Sequence, residues 1–174
     1  WGIDAEHVRR FKPVDQLLLE IDSGAATPLT RFDGNLAPLD YLRYDITAFA
    51  HHLRSGADVL VIGSGGGRDV LAALAARQRS VRAVEVNGDI VRAVNERFGD
   101  FTGHLDRRAD VRFSVDEGRS YLARTGDSFD IIQAALIDTV AATAAGAYAF
   151  VENGLYTAEA WKLFLSKLKP RGVL

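Results

Sequence analysis

The segment that most constrains the fold of this chain begins at Asp58 and reads DVLVIGSGGGRDVLAALAARQRSVRAVEV. Its first five residues, 58–62, form a β-branched apolar run typical of a buried parallel strand. Three glycines follow at once in a GxGxG spacing, a helix is predicted from about Asp69, and a second strand ends near Glu85. This order predicts a nucleotide-binding βαβ unit.

The glycines and the acid have complementary roles in such a unit. Gly63, Gly65 and Gly67 permit positive φ angles and a close approach of the backbone to a ligand. Glu85 follows about 20 residues later, where a carboxylate accepts hydrogen bonds from both ribose hydroxyls of an adenosine group. The spacing differs from the GxGxxG of nicotinamide and flavin binders, and Arg68 follows it directly, so the sequence favours an adenosyl thioether over a dinucleotide.

Composition narrows the possible functions. The chain has 174 residues and a net charge of −2, which predicts one globular core and gives no electrostatic support for nucleic-acid binding. It contains no cysteine, and its four histidines show no metal-ligand spacing, so we expect no metal site. No run reaches the roughly 20 apolar residues of a bilayer span. We therefore expect no membrane contact within this span and a cytoplasmic location, either free or as the soluble part of a longer, membrane-attached chain.

The order of predicted elements indicates an α/β domain. Two strand-like runs, 17–21 and 27–32, predict an N-terminal β-hairpin, and apolar residues at helical spacing predict a helix over 41–53. Strands and helices then alternate, with strands at 58–62, 81–86, 111–115 and 129–134, and helices at 69–78, 88–98, 118–124 and 157–168. Such alternation predicts a mostly parallel sheet with helices on both faces. We expect a hairpin extension over 1–40 and a ligand-binding domain over 41–174 that lacks its final strands, because the sequence stops as a new strand begins.

Four segments, in order, resemble the spermidine synthase-like branch of the class I S-adenosylmethionine-dependent methyltransferase superfamily. VLVIGSGGGRD is similar to that family's VLVIGGGDGG, AVEVNGDIV to its VEID segment, SVDEGRSYL to its DGR segment, and LYTAEAW with LKPRGVL to LFTEEFY with LKPGGIL. The resemblance covers nearly the whole chain. It implies a Rossmann-like methyltransferase fold preceded by a β-hairpin, with S-adenosylmethionine or its decarboxylated form as the cofactor.

The resemblance also implies a set of ligand-binding residues. The glycines of the loop would cradle the methionine or aminopropyl part, Glu85 would hold the ribose, and Asp116 would receive the adenine amino group. The full predicted cofactor set is Gly63, Gly65, Gly67, Asp69, Glu85, Asp116 and Glu117. Asp116 has an alternative role as the cap of a helix that opens at Gly118.

The chain departs from this family where the catalytic base is expected. Aminopropyltransferases carry a DSSDP-type stretch after the fourth strand, and its first acid activates the attacking amine. Here the stretch reads AALIDTV, which places Ala135 at the first acid and Asp138 at the second. Gly66 also replaces the acid of the family's glycine loop, and the loop 139–153 is longer than its family counterpart. The resemblance therefore says least about which acceptor substrate this chain would use.

Asp138 is the predicted catalytic residue, because an amine must lose a proton before it attacks a sulfonium and a carboxylate can take that proton. A turn or capping acid is the alternative reading. Tyr44, Asp45 and Glu152 are predicted substrate-binding residues that add negative character to the mouth of the site. The expected partner is thus a small-molecule amine or another small acceptor, with a homodimer through the hairpin suggested by analogy alone.

Three functions follow from these observations. The first is a spermidine synthase-like transfer of an aminopropyl group to an amine, with Asp138 replacing the missing base. The second is methyl transfer from S-adenosylmethionine to an unknown small molecule, and the third is a non-catalytic adenosyl-ligand-binding domain, motivated by Ala135. An acid near the glycine loop favours the decarboxylated cofactor, whereas an inward-pointing Arg68 favours the intact one. A nicotinamide dehydrogenase is less favoured, because no acid–base pair for hydride chemistry stands out.

Overall fold

The computed structural model describes residues 14–21, 25–135 and 154–174. Its strands are β1 (Gln16–Ile21), β2 (Ala25–Thr30), β3 (Asp58–Ile62), β4 (Ser80–Glu85), β5 (Val111–Val115), β6 (Phe129–Gln133) and β7 (Leu168–Val173). Its α-helices are α1 (Phe49–Leu53), α2 (Arg68–Ala75), α3 (Gly88–Arg92), α4 (Gly99–Thr102), α5 (Gly118–Arg124) and α6 (Ala158–Ser166). Short 3-10 helices cover Ala37–Tyr44, Ile46–Ala48, Leu105–Arg107 and Gly154–Tyr156, and a π-helical turn covers Ala93–Arg97.

The strands form two sheets. β1 and β2 make an antiparallel hairpin, and the other five make a parallel sheet in the order β5-β4-β3-β6-β7. The chain runs outward from β3 to β5 and then returns to the other side of β3 as β6. Open α/β sheets bind ligands at such a reversal, outside the carboxyl ends of the strands.

The central strand β3 shows why the sheet is covered on both faces. Val59 and Val61 point into a core formed with α2 and the 3-10 helix Ala37–Tyr44, whereas Leu60 and Ile62 point into a second core formed with α5 and α6. Successive side chains of a strand alternate between faces, so an uninterrupted apolar run fills two cores at once. The predicted α/β fold, with helices on both faces of a parallel sheet and a hairpin before it, is confirmed.

Several predicted elements differ from the observed ones in their bounds; the predicted helix 69–78, for example, is observed as Arg68–Ala75. The helix expected over 41–53 is observed as shorter helices, of which only Phe49–Leu53 is α-helical. Asp45 adopts an extended conformation and its side chain accepts a hydrogen bond from Thr47 N, which ends one 3-10 helix and begins the next. The last helix is shorter than the predicted 157–168: Thr157 caps it and β7 begins at Leu168. Pro170, expected to end that helix, lies inside β7 instead.

Candidate functional site

The glycine loop after β3 has the backbone shape that its sequence predicts. Gly63, Gly65 and Gly67 have φ angles of 73°, 48° and 91°, in the left-handed region that favours glycine. The Gly63 amide donates to the Val84 carbonyl at 2.8 Å, so the hydrogen-bond ladder between β3 and β4 continues one residue into the loop. α2 begins directly after the last glycine.

Glu85, the last residue of β4, lies against this loop. Its side chain is buried, one carboxylate oxygen accepts from Gly65 N at 2.9 Å, and the other accepts from Asn87 N at 3.0 Å. Each carboxylate oxygen can accept a second hydrogen bond, so both retain capacity for a hydroxyl group. The structure thus brings together the loop and the acid that the sequence pairs with it.

An apolar surface adjoins Glu85 and was missed by the sequence reasoning. Val86 follows Glu85 and is 68% exposed, and Val115 lies opposite Glu85 on β5 and is 59% exposed. In the sequence, this surface is indicated only by a valine next to an acidic residue at the end of each of two neighbouring strands. A buried acid next to exposed aliphatic side chains suits a ligand with hydroxyl groups and a flat apolar ring.

Asp116 and Glu117 follow β5 at the same edge. Glu117 caps α5, because its carboxylate accepts from Arg119 N at 2.9 Å and Ser120 N at 2.8 Å. The capping role considered for Asp116 therefore belongs to its neighbour. Asp116 donates its backbone N–H to the Glu85 carbonyl at 3.0 Å and pairs through its carboxylate with Arg124. The assignment of these two acids to a cofactor stays a prediction.

Asp45 and Asp69 share one guanidinium on the other side of the loop. Arg68 makes its closest contact with Asp45 and donates to Thr47 Oγ1 at 3.0 Å, whereas its Nη1 lies 3.6 Å from Asp69 Oδ1. Burial raises the pKa of Asp45, but the Thr47 amide and Arg68 outweigh it and hold that pKa below its ordinary value. Asp45 is thus held by Thr47 on one carboxylate oxygen and by Arg68 on the other. Tyr44, which precedes it, is partly exposed at the end of a 3-10 helix.

Asp69 is held more loosely than Asp45. Its carboxylate accepts from Thr47 Oγ1 at 3.4 Å and lies near Arg68, and its side chain is only 12% exposed. Burial raises the pKa of Asp69 above its ordinary value, although Arg68 and Thr47 oppose that shift. Two carboxylates and one guanidinium leave this group of side chains with an excess of negative charge when both acids are ionised.

Two buried polar residues behind Asp69 were also missed from the sequence. Gln133, at the end of β6, and His51, on α1, are each 6% exposed. Within the described residues, both amide atoms of Gln133 and the Nε2 atom of His51 lack a hydrogen-bond partner. Gln133 nevertheless lies close enough to affect the pKa of both His51 and Asp69. In the sequence, the burial of Gln133 is indicated only by its place at the end of the mostly apolar strand FDIIQ.

Two predicted site residues, Asp138 and Glu152, lie outside the described residues. Across 14–21, 25–135 and 154–174 there is no group of three or more His, Asp or Glu side chains arranged to hold a metal ion. In the same part of the chain, no helix has the length and apolar character needed to cross a bilayer.

Comparison with known proteins finds similarity in structure only. No protein-family model matches this chain, and neither does any curated protein sequence. Among solved structures, a spermidine synthase in complex with the transition-state analogue AdoDATO matches with a TM-score of 0.53 and 18% identity, over 83% of this chain and 45% of that one. Thermotoga maritima spermidine synthase matches with a TM-score of 0.50 and 18% identity, over 83% and 46%.

A third similar structure is human methyltransferase-like protein 13 in complex with SAH, with a TM-score of 0.52 and 16% identity, over 76% of this chain and 62% of that one. This chain therefore spans about half of the length of the spermidine synthases that it matches and less than two thirds of the methyltransferase. At sequence identities of 16% to 18%, the comparison shows a shared fold and nothing more. The chain has the Rossmann-like α/β fold seen in S-adenosylmethionine-dependent methyltransferases and spermidine synthases.

Proposed function

We propose that this chain binds an S-adenosyl ligand at the carboxyl edge of its sheet and transfers an alkyl group from the sulfonium to a small amine. The observation that carries the proposal is the contact of Glu85 with the Gly65 amide, which fixes an acid beside the glycine loop. In this proposal Glu85 accepts from the ribose hydroxyls, and the exposed Val86 and Val115 contact the adenine ring.

The charge near the loop favours the decarboxylated cofactor and aminopropyl transfer. Intact S-adenosylmethionine carries a carboxylate that needs a cation or free N–H donors, and Arg68 is already paired with Asp45. The decarboxylated form carries only an ammonium beyond the sulfonium, and the loosely held Asp69 suits that charge. Spermidine synthases are among the structures with this fold, which is consistent with the proposal.

The reaction is an in-line displacement. The amine nitrogen forms a bond to the carbon next to the sulfonium, the carbon–sulfur bond breaks, and sulfur keeps the electron pair as a neutral thioether. The amine releases one proton, and we propose Asp138 as its acceptor because Ala135 has no acidic group. The protein's main contributions are alignment of the amine and exclusion of water.

Mass spectrometry of the products tests this proposal. The chain is incubated with putrescine and either decarboxylated or intact S-adenosylmethionine, and the acceptor's gain in mass identifies the transferred group. Aminopropylated putrescine, lost in Asp138→Asn but retained in the matched control Asp89→Asn, supports the proposal. A methylated acceptor with intact S-adenosylmethionine assigns methyl transfer instead, and binding of either cofactor without a product supports a non-catalytic domain.

A further inference from the structure

We propose that a second small-molecule site lies at the carboxyl end of α2 and binds a phosphate group through Arg43, Arg77 and Asn35. The site is a surface cleft of about 590 Å³, a volume within the range of small-molecule sites in proteins. The residues that line the cleft include Asn35, Leu36, Asp40, Arg43, Ala75 and Arg77.

The cleft lies apart from the glycine loop. α2 begins at Arg68, directly after the loop, and ends at Ala75, which lines the cleft. Because an α-helix rises about 1.5 Å per residue, the eight residues of α2 separate the two places by about 12 Å. A ligand in the cleft is therefore distinct from the proposed adenosyl ligand, and each proposal can fail without the other.

Arg77 is held in a backbone conformation that favours glycine. Its φ angle is 56°, and it follows Ala76, the C-cap of α2. The Arg77 amide donates to the Leu74 carbonyl at 2.9 Å, and the Gln78 amide donates to the Ala73 carbonyl at 3.1 Å. Glycine is the usual residue at the left-handed position of such a helix end. An arginine there is strained, and residues in strained conformations cluster at binding sites.

The side chains of the cleft offer many hydrogen-bond donors. Arg77 has five guanidinium N–H groups and no side-chain partner within the described part of the chain. Arg43 uses one nitrogen, Nη1, which donates to Asp40 Oδ1 at 3.0 Å. The side-chain oxygen of Asn35 accepts from the Ala37 amide at 3.0 Å, so the NH₂ group of Asn35 is left for another acceptor.

The charge of the cleft also favours an anion. Arg43 and Arg77 contribute two positive charges against one negative charge from Asp40. The side chains of Arg43 and Asp40 are 43% and 40% exposed, and such exposed ion pairs are weak, so an anion can compete with Asp40 for Arg43. Carbonyl groups at the end of α2 would repel an anion, but backbone hydrogen bonds from Ala76 and Arg77 already occupy them.

The arrangement suits a phosphate better than a carboxylate. A phosphate monoester presents three terminal oxygens, enough for two guanidinium groups and one amide, and guanidinium groups bind phosphate oxygens in pairs. The cleft is also larger than a single phosphate group, and Leu36 and Ala75 add apolar surface to it. We therefore expect the ligand to be a phosphate monoester of a small organic molecule.

Nuclear magnetic resonance titration of the nitrogen-15-labelled chain with inorganic phosphate, at pH 7 and constant ionic strength, tests this inference. We expect the amide signals of Ala37 and Ala75 to shift in a saturable way. In Arg77→Gly, affinity should fall at least about tenfold, and glycine tolerates the backbone conformation, so this variant should stay folded. Arg171→Gly is the matched control, because Arg171 is also an exposed arginine with a left-handed φ angle, 61°, but does not line the cleft.

Asp40→Asn tests the charge argument in the opposite direction. It removes the acid of the cleft and releases Arg43, so we expect affinity for phosphate to rise about threefold or more. Asp89→Asn, which removes an exposed acid on α3, should leave the affinity unchanged. Equal affinities in the two variants would contradict a role for Arg43.

Two further ligands identify the group that the cleft recognises. Tighter binding of ribose 5-phosphate than of inorganic phosphate would assign the cleft to a monoester, and equal binding would show that the phosphate group alone is recognised. Acetate that binds as tightly as phosphate would overturn the proposal. Absence of saturable shifts with both phosphate ligands, or equal losses in Arg77→Gly and Arg171→Gly, would also overturn it.

Discussion

Thr27 Oγ1 accepts a hydrogen bond from the Gly66 amide at 2.7 Å, and this contact joins the N-terminal hairpin to the glycine loop. The neighbouring Pro28 carbonyl lies so close that a Cβ atom on Gly66 would be 2.2 Å from its oxygen. The hairpin thus accounts for the glycine at a position where the related loop motif has an acid. One edge of the candidate site is built by two segments that are 39 residues apart.

We expect Gly66→Ala to destabilise the chain by about 1 to 3 kcal/mol, because the new Cβ meets backbone atoms that only a shift of the hairpin can move. Urea unfolding at pH 7 measures the change. Gly126→Ala is the matched control, since nothing lies within 4 Å of a Cβ built there. Equal stability of the two variants would mean that the hairpin does not pack closely against the glycine loop.

Asp69→Asn should leave the free energy of unfolding at pH 7 unchanged or raise it. Burial raises the folded pKa of Asp69, so the folded state binds this proton more tightly than the unfolded state does, and ionisation at neutral pH opposes folding. Urea unfolding at pH 5 and pH 7 checks the sign. A loss of more than about 1 kcal/mol at pH 7 would show that Asp69 stabilises the fold, as a buried hydrogen-bonded group does.

His51 should make stability fall as the pH decreases from 6.5 to about 4. Burial lowers its folded pKa to about 4, so across this window the unfolded chain takes up a proton that the folded chain does not. The expected loss is on the order of 3 kcal/mol. His51→Gln should flatten this part of the pH profile, whereas His52→Gln should flatten it only in part, because the charge of the exposed His52 adds to burial in lowering the pKa of His51. The same slope in both variants would contradict the account.

An ion-pair network at the amino edge of the sheet should make the fold sensitive to acid. Hydrogen bonds from Arg79 and Lys169, opposed by burial, hold the pKa of Asp58 well below its ordinary value of 3.8. Lys169, on β7, also donates to Asp130 on β6 at 3.0 Å. This stabilisation is complete above pH 3.8 and is lost as the pH falls from there toward the folded pKa.

Asp58→Asn should therefore lower stability at pH 7 by about 1 to 3 kcal/mol and reduce the further loss below pH 4. Asp89→Asn is the control, because Asp89 and its partner Arg92 are both mostly exposed and such pairs contribute less than about 1 kcal/mol. Acid unfolding followed by circular dichroism measures both variants. An unchanged acid transition in Asp58→Asn would show that the network does not stabilise the fold.

Local patterns predicted the central part of the fold because each element there is specified by its own residues. The run 58–62 and the segments 111–115 and 118–124 were predicted with their observed bounds, since apolar periodicity and turn residues mark them. The helix over 41–53 was predicted as one element, whereas the Asp45 side chain competes for a backbone amide and breaks it. Apolar spacing alone does not reveal that competition.

The candidate site was predictable where its residues are close in sequence or belong to a known motif. The glycines and Glu85 form such a motif, and the structure places them in contact. The contact of Thr27 with the loop and the burial of Gln133 and His51 depend on tertiary packing, which a single sequence does not encode in any local pattern.

The most direct test of the central claim is calorimetric titration of the chain with methylthioadenosine, for the unmodified protein and for Glu85→Gln. The account predicts binding by the unmodified chain and at least about tenfold weaker binding by Glu85→Gln, because the buried carboxylate beside Gly65 is the proposed acceptor for the ribose hydroxyls. Glu159→Gln, an exposed acid on α6, should bind as the unmodified chain does. Absence of binding to the folded, unmodified chain, or equal affinity in Glu85→Gln, would contradict the proposed adenosyl site.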